Sequence, residues 1–258
     1  MNILAPLGRT LIAFLATVGR LAAFTARALS HAVRPPFYFG ALGRQMLDIG
    51  YYSLPVVGLT ALFTGMVLAL QSNSGFARFD AASAIPTVVV LSITRELGPV
   101  MAGLMVAGRI GAAIAAELGT MRVTEQIDAL VTLSTNPYKY LIAPRLWAGL
   151  LMLPLLVFVA DIIGVFGGFL VSVYTLHFNA ADYISQTWKY LEFRDVTSGL
   201  WKAAVFGFII ALMGCYHGFT SRGGAQGVGE AATNAVVSAS ILILVTNYLL
   251  TGIFFAAP

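Results

Sequence analysis

The sequence predicts an all-α integral membrane protein: an amphipathic interfacial helix at the N-terminus, five membrane spans, and a short cytoplasmic helix between spans two and three. Three observations carry this prediction. Of the 258 residues, 59% are hydrophobic and 10% charged, with a mean hydropathy of +0.86, whereas a soluble domain carries about a quarter charged residues. Apolar runs near the roughly 20 residues that a bilayer core requires recur along the chain. The basic residues also gather on alternate sides of those runs, as the positive-inside rule requires.

Residues 1–40 are expected to form the interfacial helix and a linker, and residues 41–258 the five-span domain. Arg9, Arg20, Arg27 and Arg34 recur at spacings of 11, 7 and 7 residues, which keeps them within about 40° on a helical wheel. Leu4, Leu7, Leu11, Phe14, Val18 and Leu29 fall on the opposite side. Such a helix lies in the interface with its guanidinium groups towards anionic headgroups. The competing reading is a first membrane span, against which the arginine stripe speaks. A cleavable signal peptide is not expected, because no compact apolar core with a small-residue cleavage site follows a basic start.

The spans are expected at about 47–71, 85–108, 145–174, 197–219 and 235–256, the third tilting or kinking at Pro154. Tyr51, Tyr52, Trp147, Tyr174 and Trp201 stand near proposed ends, as an aromatic belt would. An odd number of spans puts the termini on opposite sides. With the N-terminus inside, Arg9, Arg20, Arg27, Arg34, Arg44, Arg109, Arg122, Lys139, Arg145 and Arg222 are cytoplasmic, against Arg78, Lys189 and Arg194 outside. That asymmetry predicts a cytoplasmic N-terminus and a C-terminus on the outer side.

Other chemistries find little support. A single cysteine, Cys215, permits no internal disulfide, and His31, His177 and His217 have no metal-ligand spacing. "GGAQGVG" at 223–229 has glycines but neither a following Lys-Ser/Thr nor a preceding strand pattern, and reads as a flexible loop rather than a phosphate cradle. The net charge of +4 suggests nucleic acid only if its distribution across a membrane is ignored. The chain is read as neither an enzyme nor a holder of any cofactor.

Function is instead sought in the charges that fall inside spans. In "SITRELGPVMAG", Arg95 lies ten residues into the second span, about 15 Å deep, where a charge costs roughly 2.5–3.5 kcal/mol even on lenient scales. Glu96 adjoins it, but neighbouring helical residues point about 100° apart and do not face one another. Lys202 in the fourth span and Asp161 in the third are candidate partners. Glu96–Lys202 and Asp161–Arg95 pairings are both compatible with the sequence, and Arg95, Glu96, Asp161 and Lys202 are expected to line one outward-open polar cavity. The alternative is that they are ion pairs that staple helices together. Two cations at different depths suit an anionic headgroup above apolar tails.

Small residues follow at helical spacing, Gly108 with Ala112 and Ala116, and Gly111 with Ala115 and Gly119, allowing helices to approach closely in a fold core or a homodimer seam. In the segment "ELGTMRVTEQIDALVTLSTNPYKYLIAPR", Thr124 is placed to cap a helix of about 124–135 containing Glu125, Gln126, Ile127, Asp128 and Leu130. Ile127, Leu130 and Val131 share one side, and Asn136-Pro137 is expected to end it. Such a helix docks in a partner's groove or rests on the membrane.

Residues 91–156, "LSITRELGPVMAGLMVAGRIGAAIAAELGTMRVTEQIDALVTLSTNPYKYLIAPRLWAGLLMLPLL", closely resemble the MlaE family, the permease subunits of Mla-type lipid-transport ABC systems. "GGAQGVGEAATNAVV" and "NYLLT" resemble that family's last loop and last span, and the likeness extends over about residues 40–256. The resemblance implies a homodimer of five-span subunits in the inner membrane of a Gram-negative bacterium. It implies two cytoplasmic ATPase subunits, which hold ATP and Mg, and a periplasmic MCE-domain lipid-binding protein. The implied activity moves glycerophospholipid between the inner membrane and the outer envelope, a traffic that bears on outer-membrane lipid asymmetry. By the same resemblance, Glu125, Gln126, Ile127, Asp128 and Leu130 form the coupling helix seated in the ATPase. Arg95 and Glu96 match the family's intramembrane charged pair at the lipid cavity, and Lys202 falls where some members carry lysine. Glu230 and Asn234 depart from basic residues common at those positions, and Asn247 from an acid. Rival classes are an ion-coupled secondary transporter, in which Glu96 or Asp161 titrates, and a non-transporting membrane anchor for partner proteins.

Overall fold

The computed structural model describes residues 4–76 and 82–255, with the side chains of residues 4–8, 10, 14 and 82 left aside. Arg78 and the side chains of Leu4, Leu7 and Phe14 therefore lie outside the description. Among the described residues there is no strand: the chain is eleven α-helices joined by short turns. They are α1 (Leu4–Ala32), α2 (Phe39–Ile49), α3 (Leu54–Phe76), α4 (Ile85–Ser92), α5 (Gly98–Val106), α6 (Ala112–Val123), α7 (Gln126–Thr132), α8 (Ala143–Tyr174), α9 (Ala180–Tyr190), α10 (Phe193–Phe219) and α11 (Gly224–Phe255). Several join end to end, so that Phe39–Phe76, Ile85–Val123 and Tyr138–Tyr174 are rods of 38, 39 and 37 residues. With α10, α11 and the Leu11–Ala32 part of α1, six helices are long and apolar enough to cross a membrane. The all-α membrane fold is as the composition dictates.

The long rods run past the expected span ends for identifiable reasons. Gly50 interrupts the first rod between α2 and α3, and Arg109 braces that break by donating Nη1 to the Asp48 carbonyl (3.1 Å) and the Ser53 hydroxyl (2.7 Å). In the second rod, π-helical turns at Ile93–Leu97 and Ala107–Gly111 insert extra residues without ending the helix. Pro154 likewise sits inside α8 without ending it. The segment at 223–229, expected as a loop, is mostly the first turns of α11. Only Gly223 (φ +90°) and Gly224 (φ +70°) adopt the left-handed conformation, and helix follows at once. Its small residues are the reason: Gly227, Ala231, Ala235 and Ala239 form a buried stripe at a four-residue period.

The core sits where α8 and α10 cross, flanked by α3, α6 and α11. Gly149 and Gly207 set the closest approach. A methyl group on either would overlap the other's carbonyl oxygen, so the two backbones touch directly. Of the two small-residue rows, Gly111, Ala115 and Gly119 are buried, with Gly111 and Ala115 against α10 at Gly214 and Gly218. Gly108 on the other row faces open space. Arg145, counted among the cytoplasmic cations, is buried (4% exposed) and bonds Glu117 (2.8 Å) and the Leu141 carbonyl (2.6 Å).

α1 meets the bundle only along its second half. Phe24 packs against Tyr138, Tyr216 and Phe219 with centroids 5.5–5.9 Å away, and Ala28 is fully buried. Lys139 and Trp147 pin its end through the carbonyls of Pro35 (2.6 Å) and Ala32 (3.1 Å). The bundle-facing stripe is thus neither the arginine row nor the Leu11, Val18, Leu29 row, both of which stay exposed.

The amphipathic helix α9 was not anticipated. Asn179 caps it by accepting from the amides of Ala181 (2.9 Å) and Asp182 (3.4 Å). α7 also differs from expectation at both ends. Thr124 donates its hydroxyl back to Thr120 in α6 rather than capping α7, and Glu125 turns the chain through a left-handed conformation (φ +61°). Asn136 starts the next turn instead, its side chain accepting from the Tyr138 amide (2.9 Å).

Candidate functional site

The π-helical turn at Ile93–Leu97 builds the site. Gly98 donates its amide to Ile93 rather than Thr94, one residue beyond the α-helical partner. Pro99 has no amide to give, so the Arg95 carbonyl loses its normal α-helical donor. Lys202 supplies the missing donor: its Nζ lies 2.9 Å from the Arg95 oxygen. The Thr94 carbonyl, freed by the same register change, faces Gly199 of α10, where any side chain would collide with it. A helix defect in one span is therefore filled by the side chain of another, and the glycine lets the two come close enough.

Lys202 is fully buried and its three donors are all engaged. Besides the carbonyl, Nζ bonds Glu96 Oε1 at 2.6 Å and the Thr251 hydroxyl at 2.8 Å. Thr251 can donate its one proton to Glu96 Oε1 or to the Asn247 carbonyl, both at 2.8 Å. Asn247 Nδ2 completes the carboxylate by donating to Oε2 at 2.8 Å. Glu96 thus bridges α10 and α11, and an amide at 247 suits it where a second acid would repel it.

Arg95 points elsewhere. Its Nε and Nη2 both reach Asp195 Oδ1 at 2.7 Å, and its guanidinium stacks over the Phe255 ring at 4.6 Å. Asp195 is itself fixed: its Oδ2 accepts from the Glu192 amide (3.1 Å) in a capping box at the start of α10. The Arg95 side chain remains 35% exposed with Nη1 uncommitted among the described residues, in contrast to the saturated Lys202.

The four candidates are therefore divided. Glu96 and Lys202 pair directly, and Arg95 joins them only through its backbone. The Arg95–Asp161 pairing does not form, because Asp195 takes the guanidinium. Asp161 is buried on α8 against the Gly98 backbone, with neither carboxylate oxygen partnered among the described residues. Sequence reasoning missed Asp195 and Thr251 and treated Asn247 only as a departure. One signal for Asp195 was available: it precedes Lys202 by seven residues, two turns on the same helix face. Neutral Thr251 and Asn247 in an apolar helix give no such signal. Among the described residues no three of His, Cys, Asp and Glu gather to hold a metal ion.

At the α7 end, Ile127 is buried and Leu130 partly buried, while Glu125, Gln126 and Asp128 are exposed. Arg122 holds Asp128 at 2.7 Å. Val131, expected beside Ile127, is exposed together with Leu133.

A sequence model of the family described as Permease MlaE matches residues 42–253, which include the whole ionic network. The chain belongs to the MlaE permease family. It is 56% identical over 255 residues to a "Probable ABC transporter permease protein" of Rickettsia bellii, covering 99% of this chain and 98% of that one. A probable ABC transporter permease protein of Synechocystis is 42% identical, covering 82% and 80%. The "Intermembrane phospholipid transport system permease protein MlaE" of Haemophilus influenzae is 34% identical, covering 100% and 99%. Membership in the MlaE family makes the chain a multi-pass membrane permease, and it places the RELGPV and EQIDAL segments within the matched region.

Proposed function

We propose that this chain is the membrane subunit of an ABC transporter that moves glycerophospholipid between the inner membrane and the outer envelope. It would act as a homodimer in the inner membrane, with its N-terminus cytoplasmic and α1 lying in the interface. Partner ATPase subunits would hold ATP and Mg and hydrolyse the nucleotide, and a periplasmic MCE-domain protein would pass the lipid on. Support for ABC coupling comes from the names of the Rickettsia relatives, and support for phospholipid from the Haemophilus relative.

The observation that carries the lipid reading is the unequal use of the two intramembrane cations. Lys202 has spent its donors on the protein, so it positions Glu96 rather than holding a phosphate. Arg95 keeps donors free on a part-exposed guanidinium, a group suited to bidentate phosphate contact. Asp195 and Phe255 hold that guanidinium in place, and the apolar surfaces of the spans receive the acyl chains. Closure of the ATPases would push on α7, whose Ile127 anchors it to the bundle while its polar face stays open to a partner.

Native mass spectrometry of the complex, extracted mildly from its host membrane, tests the reading. Two copies of this chain with two ATPase chains and retained phospholipid are expected, and Arg95→Gln should lower retained phospholipid at least fivefold. A lone chain without lipid, under conditions that preserve known complexes, would refute it.

A further inference from the structure

Between the end of α1, the linker that follows it and the start of α8 lies a cavity of about 300 Å³. Lys139, Ala143, Trp147 and Leu151, every fourth residue along the rod Tyr138–Tyr174, form one wall. Phe37 of the linker and Leu42 of α2 also line it. The bonds from Lys139 to the Pro35 carbonyl and from Trp147 to the Ala32 carbonyl hold its walls together, so the cavity is preformed. The α8 wall is ordered by polarity. Lys139 stands at the end of the rod, and Leu151 (45% exposed) lies twelve residues, or about 18 Å, farther into it. That is close to the distance from a headgroup to the middle of a bilayer.

The charge at the polar end is of one sign. Lys139 spends one ammonium proton on the Pro35 carbonyl, and the other two have no acceptor among the described residues. Arg34, which is exposed, immediately precedes Pro35, so a second cation begins at the same place. No Asp or Glu lines the cavity, and the four ion pairs among the described residues engage neither cation. Cations without acids beside an apolar cleft at a membrane interface suit an anionic headgroup above an acyl chain. Trp147 is 38% exposed and its indole N–H is already bonded, so it offers the cleft only its rings, as tryptophans at headgroup level do. An apolar spanning helix from a partner, about 10 Å across, is too wide for this space and would leave both cations unanswered.

We infer that this cleft binds a resident anionic phospholipid, its phosphate on Lys139 and Arg34 and one acyl chain along Ala143, Trp147 and Leu151. The linker supplies both Pro35 and part of the lining, so the bound lipid ties the end of α1 to α8. This lipid is part of the folded assembly rather than cargo, and its site holds whether or not the chain transports phospholipid. Only the choice of the cytoplasmic leaflet rests on the proposed topology.

Trp147 is the reporter. The chain has three tryptophans, so Trp188→Phe and Trp201→Phe leave one, in the cavity wall. The full chain is placed in nanodiscs of phosphatidylcholine and phosphatidylglycerol, with bromine on the acyl chains of one lipid or the other, and quenching gives their relative occupancy. One cation near a membrane surface is worth about a fivefold preference, so two predict about twenty-five-fold in favour of phosphatidylglycerol. Lys139→Gln and Arg34→Gln should each lower the preference about fivefold, and Lys139→Arg should keep it. Arg20→Gln, fourteen residues before Arg34 on the exposed row of α1, lies beyond a Debye length and should leave it unchanged. Where Lys139→Gln fails to stay monodisperse, Arg34→Gln carries the test. A preference below about threefold, or a loss with Arg20→Gln as large as with Arg34→Gln, would overturn the proposal. So would relief of quenching by inorganic phosphate as complete as by unbrominated phosphatidylglycerol.

Discussion

Replacing Lys202 with Met keeps the apolar stem and removes the ammonium, and the structure allows the loss to be worked out. Three hydrogen bonds disappear. Within a bilayer such bonds average roughly 0.6 kcal/mol, or about 2 kcal/mol together. The larger cost is the charge left behind, since breaking a fully buried ion pair costs about 3–5 kcal/mol. The Glu96 side chain is 36% exposed, which allows solvent to answer part of that demand. A net destabilisation of about 2–4 kcal/mol follows. At roughly 2–4 °C per kcal/mol for a chain of this size, the midpoint should fall by about 4–16 °C. Thermal stability of the detergent-solubilised chain, followed by loss of the monodisperse gel-filtration peak at a fixed heating rate, measures it. Adding Glu96→Gln should recover about half of the loss, because the stranded charge is then gone. A fall below about 2 °C for Lys202→Met, or a double variant as unstable as the sum of the singles, would refute the view that Lys202 serves Glu96.

Asp195→Ala should cost more stability than Glu192→Ala, by about 2 kcal/mol, because Asp195 alone holds the Arg95 guanidinium as well as its half of the cap. The same heating assay checks this. Arg122→Ala removes an exposed ion pair with Asp128, worth about 0–1 kcal/mol; Ile127→Ala should cost about 2 kcal/mol or more, since Ile127 is 1% exposed. Co-purification with the ATPase should accordingly survive Arg122→Ala and fail with Ile127→Ala. Burial pushes the Tyr183 hydroxyl up from 10.0 to about 12. Its neutral form is favoured by folding, so its contribution is complete below pH 10 and lost as pH rises towards 12. Tyr183→Phe should flatten that part of the stability profile, measured by the same assay in alkaline buffers.

How far the sequence could be read depended on which forces were at work. The spans follow from apolar length, which composition records directly, and a lysine in the fourth span at a depth near Glu96 in the second narrows the partners to a few. The choice between partners is not legible, because it turns on helix rotation, and a single extra residue rotates a helix by about 100°. The π-helical turn at 93–97 makes that change just where Arg95 and Glu96 stand. Arg95 thereby meets Asp195, a residue whose capping duty at the start of α10 had hidden its second role. Gly223–Gly229 misled for another reason. Glycine is read as breaking helices, yet here small size pays in packing along α11, and the propensity loss of about 1 kcal/mol per glycine is overridden.

Pro99 gives the second span a memory of its register. Because that residue can never donate to the Arg95 carbonyl, the ammonium of Lys202 and the backbone defect are stoichiometric: one exists to satisfy the other. Any movement that withdrew α10 from this turn would uncover a bare carbonyl and a carboxylate in the same step. Any movement that returned the Gly98 amide from Ile93 to its α-helical partner Thr94 would swing the residues before Ile93 by about 100° relative to those after Leu97. The charges at this depth can therefore be rearranged only together with the helix that carries them.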